Sequence, residues 1–109
     1  MSPISTHVLD TTLGKPAMGI SVLLEENSQD GWKVAGQGTT DADGRCRNLC
    51  NDTGAGTFRL IFTLEEYFSH QNRHSIYPEV TITFRVDGTG HYHIPLLLSD
   101  NGYTTYRGS

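Results

Sequence analysis

The sequence predicts an all-β sandwich, and three observations favour that fold class. Short runs of Val, Ile, Thr, Tyr and Phe alternate with polar residues, which is the period of a strand with one buried face. The 12 glycines and 4 prolines fall mostly between these runs, where turns are needed. Only one short stretch has the apolar spacing of a helix. Short strands separated by turn signals are typical of two packed sheets, here of about eight strands.

The length and charge of the chain limit its organisation and its partners. A chain of 109 residues can bury roughly two-thirds of its unfolded surface, so we expect a single domain over residues 1–109. The formal net charge is −4, with 8 Lys and Arg residues and no basic cluster. Neither a nucleic acid nor a membrane is therefore expected as a partner, because both are bound through basic surfaces.

Two features of the chain bear on its cellular compartment. No apolar run approaches the ~18 residues of a membrane span, and the first residues do not resemble a signal peptide, so we expect a cytoplasmic protein. Cys46 and Cys50 lie four positions apart in a loop rich in Gly, Asn and Asp, which is not the spacing of a redox pair or a zinc knuckle. A structural or incidental role is favoured, and a local disulfide under oxidising conditions is the alternative.

The first half of the chain predicts three strands and a turn. The strands cover residues 4–11, 19–26 and 32–37. His7 lies in the middle of the first strand and shares a face with Ser5 and Leu9. The turn over residues 40–44 ends in Gly44, which can take a positive φ, and it presents Arg45 directly afterwards.

The second half predicts two further strands with one helix between them. The strands cover residues 57–63 and 80–86. Thr63 and Glu66 have the spacing of a capping box, so we expect a helix at about residues 64–71. Its apolar face follows the i, i+3, i+4 pattern of Leu64, Tyr67 and Phe68.

The last strand, in residues 90–109, has one apolar face and one unusual face. Alternation places Tyr92, Ile94, Leu96 and Leu98 on the core side. The other side carries His91, His93, Pro95, Leu97 and Ser99. Two imidazoles in line with apolar residues are an unusual surface to leave in water, so we expect this face to be covered. Asn101-Gly102 is a strong hairpin signal, and it predicts a return strand through residues 103–107.

Four groups of polar residues are candidates for a functional site. They are His7, Arg45, the pair His91 and His93, and the final residues Tyr106, Arg107, Gly108 and Ser109. Each alone has an ordinary explanation, because strand histidines are often half-exposed and chain ends often fray. Together they supply a chemistry, since an imidazole can exchange a proton near neutral pH and a guanidinium can hold an oxyanion. These groups suffice for a hydrolysis without a cofactor.

A metal site is the alternative explanation of the histidines. His91 and His93 lie on one strand face, and His7 could be a third ligand, as in catalytic zinc sites. Imidazoles that bind metals are usually oriented by a carboxylate, and the nearby Asp10 is expected on the face opposite His7. We therefore predict no metal and no other cofactor.

Several segments resemble one protein family. They are the opening THVLDTTLGKPA, the loop Asp43-Gly44-Arg45, the strand HYHIPLLLS and the final YRGS. These segments are similar to the transthyretin-related proteins, specifically the 5-hydroxyisourate hydrolases of urate breakdown. The resemblance covers essentially the whole chain, and YRGS together with HYH and HVLD separates the hydrolases from transthyretin, the hormone carrier.

The resemblance implies a fold, an assembly and a reaction. The fold would be a transthyretin (prealbumin)-like β-sandwich of about eight strands with one short helix. The assembly would be a homotetramer, a dimer of dimers with active sites in a channel at the dimer–dimer interface. The reaction would be hydrolysis of 5-hydroxyisourate to 2-oxo-4-hydroxy-4-carboxy-5-ureidoimidazoline. The implied catalytic residues are His7, Arg45 and His93, and the implied substrate contacts are His7, Arg45, Tyr106, Ser109 and, at the rim, His91. Which histidine is the base stays open.

Two other classes of function are weighed against hydrolysis. A small-ligand carrier could use the same channel without turnover, although a carrier of apolar hormones should show Lys, Glu and Thr in place of His7, Arg45 and His93. A β-sandwich interaction module with incidental histidines should be a monomer. The chain departs from the family pattern at Asp100-Asn101, where Pro-Tyr is more common, and at Thr104, where Ser is usual. These departures bear on the hairpin turn more than on the chemistry.

Overall fold

The computed structural model describes residues 3–109, which form two β-sheets packed as a sandwich. Nine strands and one helix lie in this part of the chain. In chain order they are β1 (Ile4–Asp10), β2 (Lys15–Pro16), β3 (Ser21–Ser28), β4 (Gly31–Thr39), β5 (Arg45–Cys46), β6 (Gly56–Thr63), α1 (Glu65–Ser69), β7 (Glu79–Val86), β8 (Tyr92–Ser99) and β9 (Gly102–Thr105). The predicted all-β sandwich with one short helix is confirmed, and two of its strands are only two residues long.

The two sheets differ in how their strands are connected. The first has the strand order β2-β1-β8-β9, with β5 also paired to β1, and the second has the order β4-β3-β6-β7. The pairing of β1 with β8 is parallel, whereas the other pairings are antiparallel. This parallel pair places Ser5 opposite His93, 88 positions away along the chain.

The core lies between the sheets, and strand alternation decides which side chains enter it. In β1 the inward residues are Ile4, Thr6, Val8 and Asp10, and the outward residues are Ser5, His7 and Leu9. The predicted inner face of β8 is confirmed, because Tyr92, Ile94, Leu96 and Leu98 are all buried. Asp10 does lie on the face opposite His7, as the alternation predicts. The outward faces of β1 and β8 do not enter the core, so their side chains are available to contact a ligand.

The predicted capping box at the start of α1 is wrong. Leu64 occupies the N-cap, no side chain caps it, and its N–H donates to the carbonyl of Pro78 (2.9 Å). Leu64 and Phe68 are both buried. Packing of this apolar face against the sandwich therefore sets the helix start, rather than the spacing of Thr63 and Glu66.

The helix is also shorter than predicted, ending at Ser69 instead of about residue 71. Asn72 takes a φ of 55°, in the left-handed region that ends helices. The N–H of Arg73 then turns back to the carbonyl of Phe68 (3.0 Å). This reversal directs the Arg73 side chain to Asp10 at the end of β1, so a tertiary ion pair coincides with the end of the helix.

The final hairpin is present, but its turn lies one residue earlier than predicted. Ser99 pairs with Gly102, so the loop is Asp100-Asn101 and Gly102 begins the return strand β9. The hydroxyl of Ser99 donates to the carbonyl of Gly102 (3.1 Å), and Asp100 accepts from Nε of Arg73 (3.0 Å). These contacts stabilise Asp100 as a loop residue, which the Asn-Gly signal alone does not predict.

No helix within residues 3–109 is long and apolar enough to cross a membrane. The predicted cytoplasmic location is not tested by this finding and stays a prediction. The single domain predicted over 1–109 also stays a prediction, and its first two residues lie outside those described.

Candidate active site

The site is built on the outer face of the first sheet, where β1 and β8 run side by side. Because the two strands are parallel and in register, Ser5 lies opposite His93 and His7 lies opposite Pro95. All four side chains belong to the outward rows of their strands. Strand pairing alone therefore brings two of the predicted histidines to one surface, and their ring centroids are 6.5 Å apart.

Arg45 reaches the same surface through a turn that is held by its backbone. One carboxylate oxygen of Asp41 accepts the N–H groups of Asp43 (2.9 Å) and Arg45 (3.0 Å). Gly44 takes a φ of 77°, and a Cβ there would lie 2.3 Å from the carbonyl oxygen of Val8, so only glycine fits. Arg45 then pairs with His7 in the β1–β5 ladder. The predicted special role of Gly44 in presenting Arg45 agrees with this geometry.

A cavity of about 650 Å³ opens beside these strands. Eight residues line it: Ser5, Thr6, Arg45, Arg47, Asn48, His91, His93 and Ser109. It brings together Arg45, His91, His93 and Ser109 from the predicted set. The sequence prediction missed the other four, although Ser5 shares the outward row of β1 with His7 and could have been found by that alternation.

Two of the predicted catalytic and substrate-contact residues, His7 and Tyr106, lie outside this lining. His7 is one strand position from it, with its ring beside that of His93. Tyr106 is 54% exposed on the surface of the single chain. Its predicted contact with substrate stays a prediction.

The three imidazoles form a row with defined partners. The rings of His91 and His93 are stacked at a centroid distance of 6.3 Å. The Oγ atom of Ser5 lies 2.8 Å from Nδ1 of His93 and 3.0 Å from Nε2 of His91. Nε2 of His7 lies 2.8 Å from the carbonyl oxygen of Asp43. Because a carbonyl only accepts, Nε2 of His7 carries a proton and donates it.

His93 is the half-buried member of the row, and its surroundings disfavour its charged form. Burial lowers the pKa of His93 below its ordinary value, and the positive charge of Arg45 acts in the same direction. The neighbouring rings of His7 and His91 add to this effect. His93 is thus kept neutral at neutral pH, which is the state required of a proton acceptor.

A backbone hydrogen bond at Gly108 binds the end of the chain to His93. Its N–H donates to the carbonyl of His93 (2.7 Å), and a Cβ at this position would lie 2.6 Å from Cδ2 of the His93 ring. The contact covers part of the outer face of β8, as expected for that face, and Pro95 is buried there. It also carries Ser109 to the cavity wall.

The charged lining suits an anionic or oxygen-rich ligand. Arg45 and Arg47 contribute guanidinium groups to the cavity, and Asn48 contributes an amide. Within residues 3–109 there is no group of three or more His, Cys, Asp and Glu side chains arranged to hold a metal ion. The arrangement can place a neutral imidazole and a guanidinium against one planar ligand. These two groups can accept a proton from water and stabilise the oxyanion when water adds to a carbonyl group.

Comparison with known proteins places this chemistry in a family. The model of the HIUase/Transthyretin family matches residues 4–108. A 5-hydroxyisourate hydrolase of Salmonella dublin is 43% identical over 97% of this chain and 80% of the relative.

Two solved structures have the same fold. Transthyretin from Sparus aurata superposes with a TM-score of 0.93 at 30% identity, covering 99% of this chain and 97% of that one. The 5-hydroxyisourate hydrolase of Klebsiella pneumoniae superposes with a TM-score of 0.86 at 32% identity, covering 97% and 92%. The fold is thus shared by a protein named transthyretin and one named 5-hydroxyisourate hydrolase. The match of the family model over nearly the whole length shows that this chain belongs to the HIUase/Transthyretin family.

Proposed function

We propose that this chain is an enzyme that hydrolyses 5-hydroxyisourate to 2-oxo-4-hydroxy-4-carboxy-5-ureidoimidazoline, a step of urate degradation. The observation that carries the proposal is the meeting of Arg45 and His93 on one cavity wall, with His7 beside them. The relatives named 5-hydroxyisourate hydrolase support the choice of substrate. An apolar hormone would not need this cationic, imidazole-rich lining.

The reaction sets three demands on the site. Water adds to a ring carbonyl, so a carbon–oxygen bond forms and the bond from that carbon to the ring nitrogen breaks. One proton of the water must be accepted by a base, the carbonyl oxygen must be stabilised as it becomes an oxyanion, and the leaving nitrogen must receive a proton. No group beyond protein side chains and water is required for this balance.

We assign the oxyanion to Arg45. Its backbone is fixed by Asp41 and by the pairing with His7, and its side chain lines the cavity. A guanidinium is permanently charged and offers a planar fork of donors, which suits the oxygens of a flat, oxidised purine. One donor of this kind typically contributes about 10²–10³-fold in rate.

We assign the base to His93 and the supporting part to His7. His93 lines the cavity, and its lowered pKa keeps it neutral. His7 is oriented by its donation to the carbonyl of Asp43, and it lies close enough to His93 to place a second imidazole at the edge of the site. A positioned base contributes roughly 10²–10⁴-fold. Ser109 and His91 line the cavity and are assigned to substrate binding.

We further propose that the working form is a homotetramer, a dimer of dimers with the sites at the dimer–dimer interface. The exposed Tyr106 of a single chain supports this assembly, because a phenol assigned to substrate needs a surface to close against. The cavity is open to solvent on one side of a single chain. A second copy facing it would exclude bulk solvent while leaving the reacting water molecule beside the substrate.

The test is the decay of freshly generated 5-hydroxyisourate, followed by ultraviolet absorbance with and without the purified protein in buffer containing a chelator. We expect a rate well above the spontaneous one, surviving chelation, lost in Arg45→Ala and in His93→Ala, and lowered in His7→Ala. Correctly folded protein that gives no acceleration would contradict the proposal and favour the carrier.

A further inference from the structure

The Ser5 hydroxyl lies between two imidazoles, and no role for it was predicted from the sequence. Its Oγ atom is within hydrogen-bond distance of Nδ1 of His93 (2.8 Å) and of Nε2 of His91 (3.0 Å). The parallel register sets this geometry, because Ser5 and His93 are direct partners across β1 and β8. One small side chain therefore contacts a ring nitrogen of each histidine in the HYH segment.

A hydroxyl has one proton, so it cannot donate to both rings. If Nδ1 of His93 has no proton, Ser5 must donate to it, and Nε2 of His91 must then donate to Ser5. If instead Nδ1 of His93 carries the proton, it donates to Ser5, and the Ser5 proton is directed to His91. The tautomers of the two histidines are thus coupled through this single oxygen.

The charges around the cavity favour the second arrangement. With Nδ1 engaged by Ser5, Nε2 is the nitrogen through which His93 can act on a ligand, and the guanidinium of Arg45 lines the same cavity. A guanidinium only donates, so the positive charge of Arg45 in the same cavity favours a lone pair on Nε2 over an N–H.

We infer that Ser5 is a positioning residue that holds His93 in the Nδ1–H tautomer, with the Nε2 lone pair facing the cavity, while the Ser5 hydroxyl donates to His91. The kinetic part of this inference rests on the proposed hydrolase function, whereas the tautomer itself does not. When Nε2 accepts a proton from water, the Nδ1–H bond to Ser5 already stabilises the resulting cation, and no group has to turn.

The first test is nitrogen NMR of the histidine-labelled full chain without substrate, at a pH where His93 is neutral. Spectra of His93→Gln and His91→Gln assign the signals. For His93 we expect a protonated Nδ1 and an unprotonated Nε2 in the wild type and in Ser5→Thr. In Ser5→Ala we expect a mixture of the two tautomers. An unprotonated Nδ1 with a protonated Nε2 in the wild type would overturn the inference. The same tautomer of His93 in Ser5→Ala as in the wild type would also overturn it.

The second test is steady-state hydrolysis of 5-hydroxyisourate. Misplacement of a reacting group by about 1 Å can cost about 10²-fold, so Ser5→Ala should lower kcat by up to about that factor with little change in KM. Ser5→Thr keeps the hydroxyl and should restore kcat. The matched control is Ser99→Ala. It removes a hydroxyl from the face of β8 that also carries His93, but at the distant hairpin.

The two tests separate failure of this inference from failure of the proposed function. An unchanged kcat in Ser5→Ala would overturn the positioning role. A loss that Ser5→Thr does not restore would also contradict it, because it would show a packing effect. A wild type with the expected NMR pattern and no hydrolysis would support the tautomer and refute the proposed function alone.

Discussion

Arg45 is positioned by its backbone. The turn before it, residues 41–44, packs tightly against β1 at Val8. Asp41 binds the N–H groups of the turn, and Gly44 lets the chain pass within hydrogen-bond distance of Val8, whose N–H donates to its carbonyl (2.7 Å). The Arg45 side chain therefore projects into the site from a backbone that these hydrogen bonds hold in place. Its chemistry, rather than its charge alone, should matter for the reaction.

Arg45→Lys is expected to lower kcat/KM by about 10²-fold, because an ammonium cannot reproduce the planar fork of donors. The absorbance assay with 5-hydroxyisourate measures the effect. Arg47→Lys is the matched control, since Arg47 also lines the cavity but is 61% exposed and forms only long ion pairs with Asp41 and Asp43. Full turnover by Arg45→Lys would remove Arg45 from the role assigned to it.

The pH profile should report the His93 base. Burial and the charge of Arg45 lower the pKa of His93, so its neutral form persists below the pH at which an ordinary histidine is protonated. We expect the acid limb of kcat/KM to have its midpoint below about pH 6.5. A midpoint above pH 7 would contradict the assignment of His93 as the base.

Gly108→Ala should impair catalysis without unfolding the protein. The new methyl group would lie 2.6 Å from Cδ2 of His93, so the ring or the chain end must move. We expect a fall in kcat of at least about 10-fold, from misplacement of the base. The control is Gly54→Ala, where a Cβ meets nothing within 4 Å. Equal activity of the two variants would show that the contact is not needed.

At the scale of elements, one ion-pair network joins β1, the segment after α1, and the β8–β9 hairpin. Asp10 is fully buried and accepts from Arg73 (2.7 Å) and from the hydroxyl of Tyr67 (2.7 Å). Arg73 also binds Asp100 in the hairpin loop. Within residues 3–109, no buried side-chain nitrogen or oxygen lacks a hydrogen-bond partner, so this buried charge is compensated.

Asp10→Asn should destabilise the fold by about 3 kcal/mol, because it removes the buried partner of Arg73 and leaves that charge with Asp100 alone. Urea unfolding at neutral pH measures the difference. The control is Asp43→Asn, which removes an exposed ion pair with Arg47 and should cost less than about 1 kcal/mol. Equal losses in the two variants would mean that the network is no more than a surface contact.

The same pair gives a dependence on pH with a defined sign. Burial raises the pKa of Asp10, but the hydrogen bonds from Arg73, Tyr67 and the Leu13 N–H outweigh it, so the pKa is lowered. A carboxyl with a lowered pKa in the folded state contributes stability above about pH 4 and loses it as the pH falls through the folded-state value. The difference in stability between wild type and Asp10→Asn should therefore shrink in acid. A difference that grows below pH 4 would contradict this sign.

At the scale of the whole molecule, removal of residues 108–109 should weaken activity while leaving the fold and the assembly intact. Gly108 and Ser109 contact the outer face of the first sheet and the cavity wall, and neither belongs to the core. Light scattering coupled to size exclusion should give a tetramer for both the wild type and the truncated chain. A monomeric truncated chain would instead make these residues part of the interface.

The fold was largely predictable from the chain because strand alternation is a local property. The inner faces of β1 and β8 and the all-β class follow from a period of two. The errors occur where a tertiary contact decides a boundary. The packing of Leu64 starts the helix without a capping box, and Arg73 coincides with the end of that helix and binds the hairpin loop through Asp100.

The residue types needed for the chemistry are visible in the sequence, and the family resemblance identified the substrate class. How these residues contact one another depends on the folded chain, because the parallel pairing of β1 with β8 joins positions 88 apart that no local pattern relates. That register places Ser5 against His93, and a separate antiparallel pairing of β1 with β5 puts Arg45 beside His7. Tyr106 lies on the outside of the single chain. Local alternation assigns a face, whereas neighbours across a sheet are set by the free energy of the whole packed core.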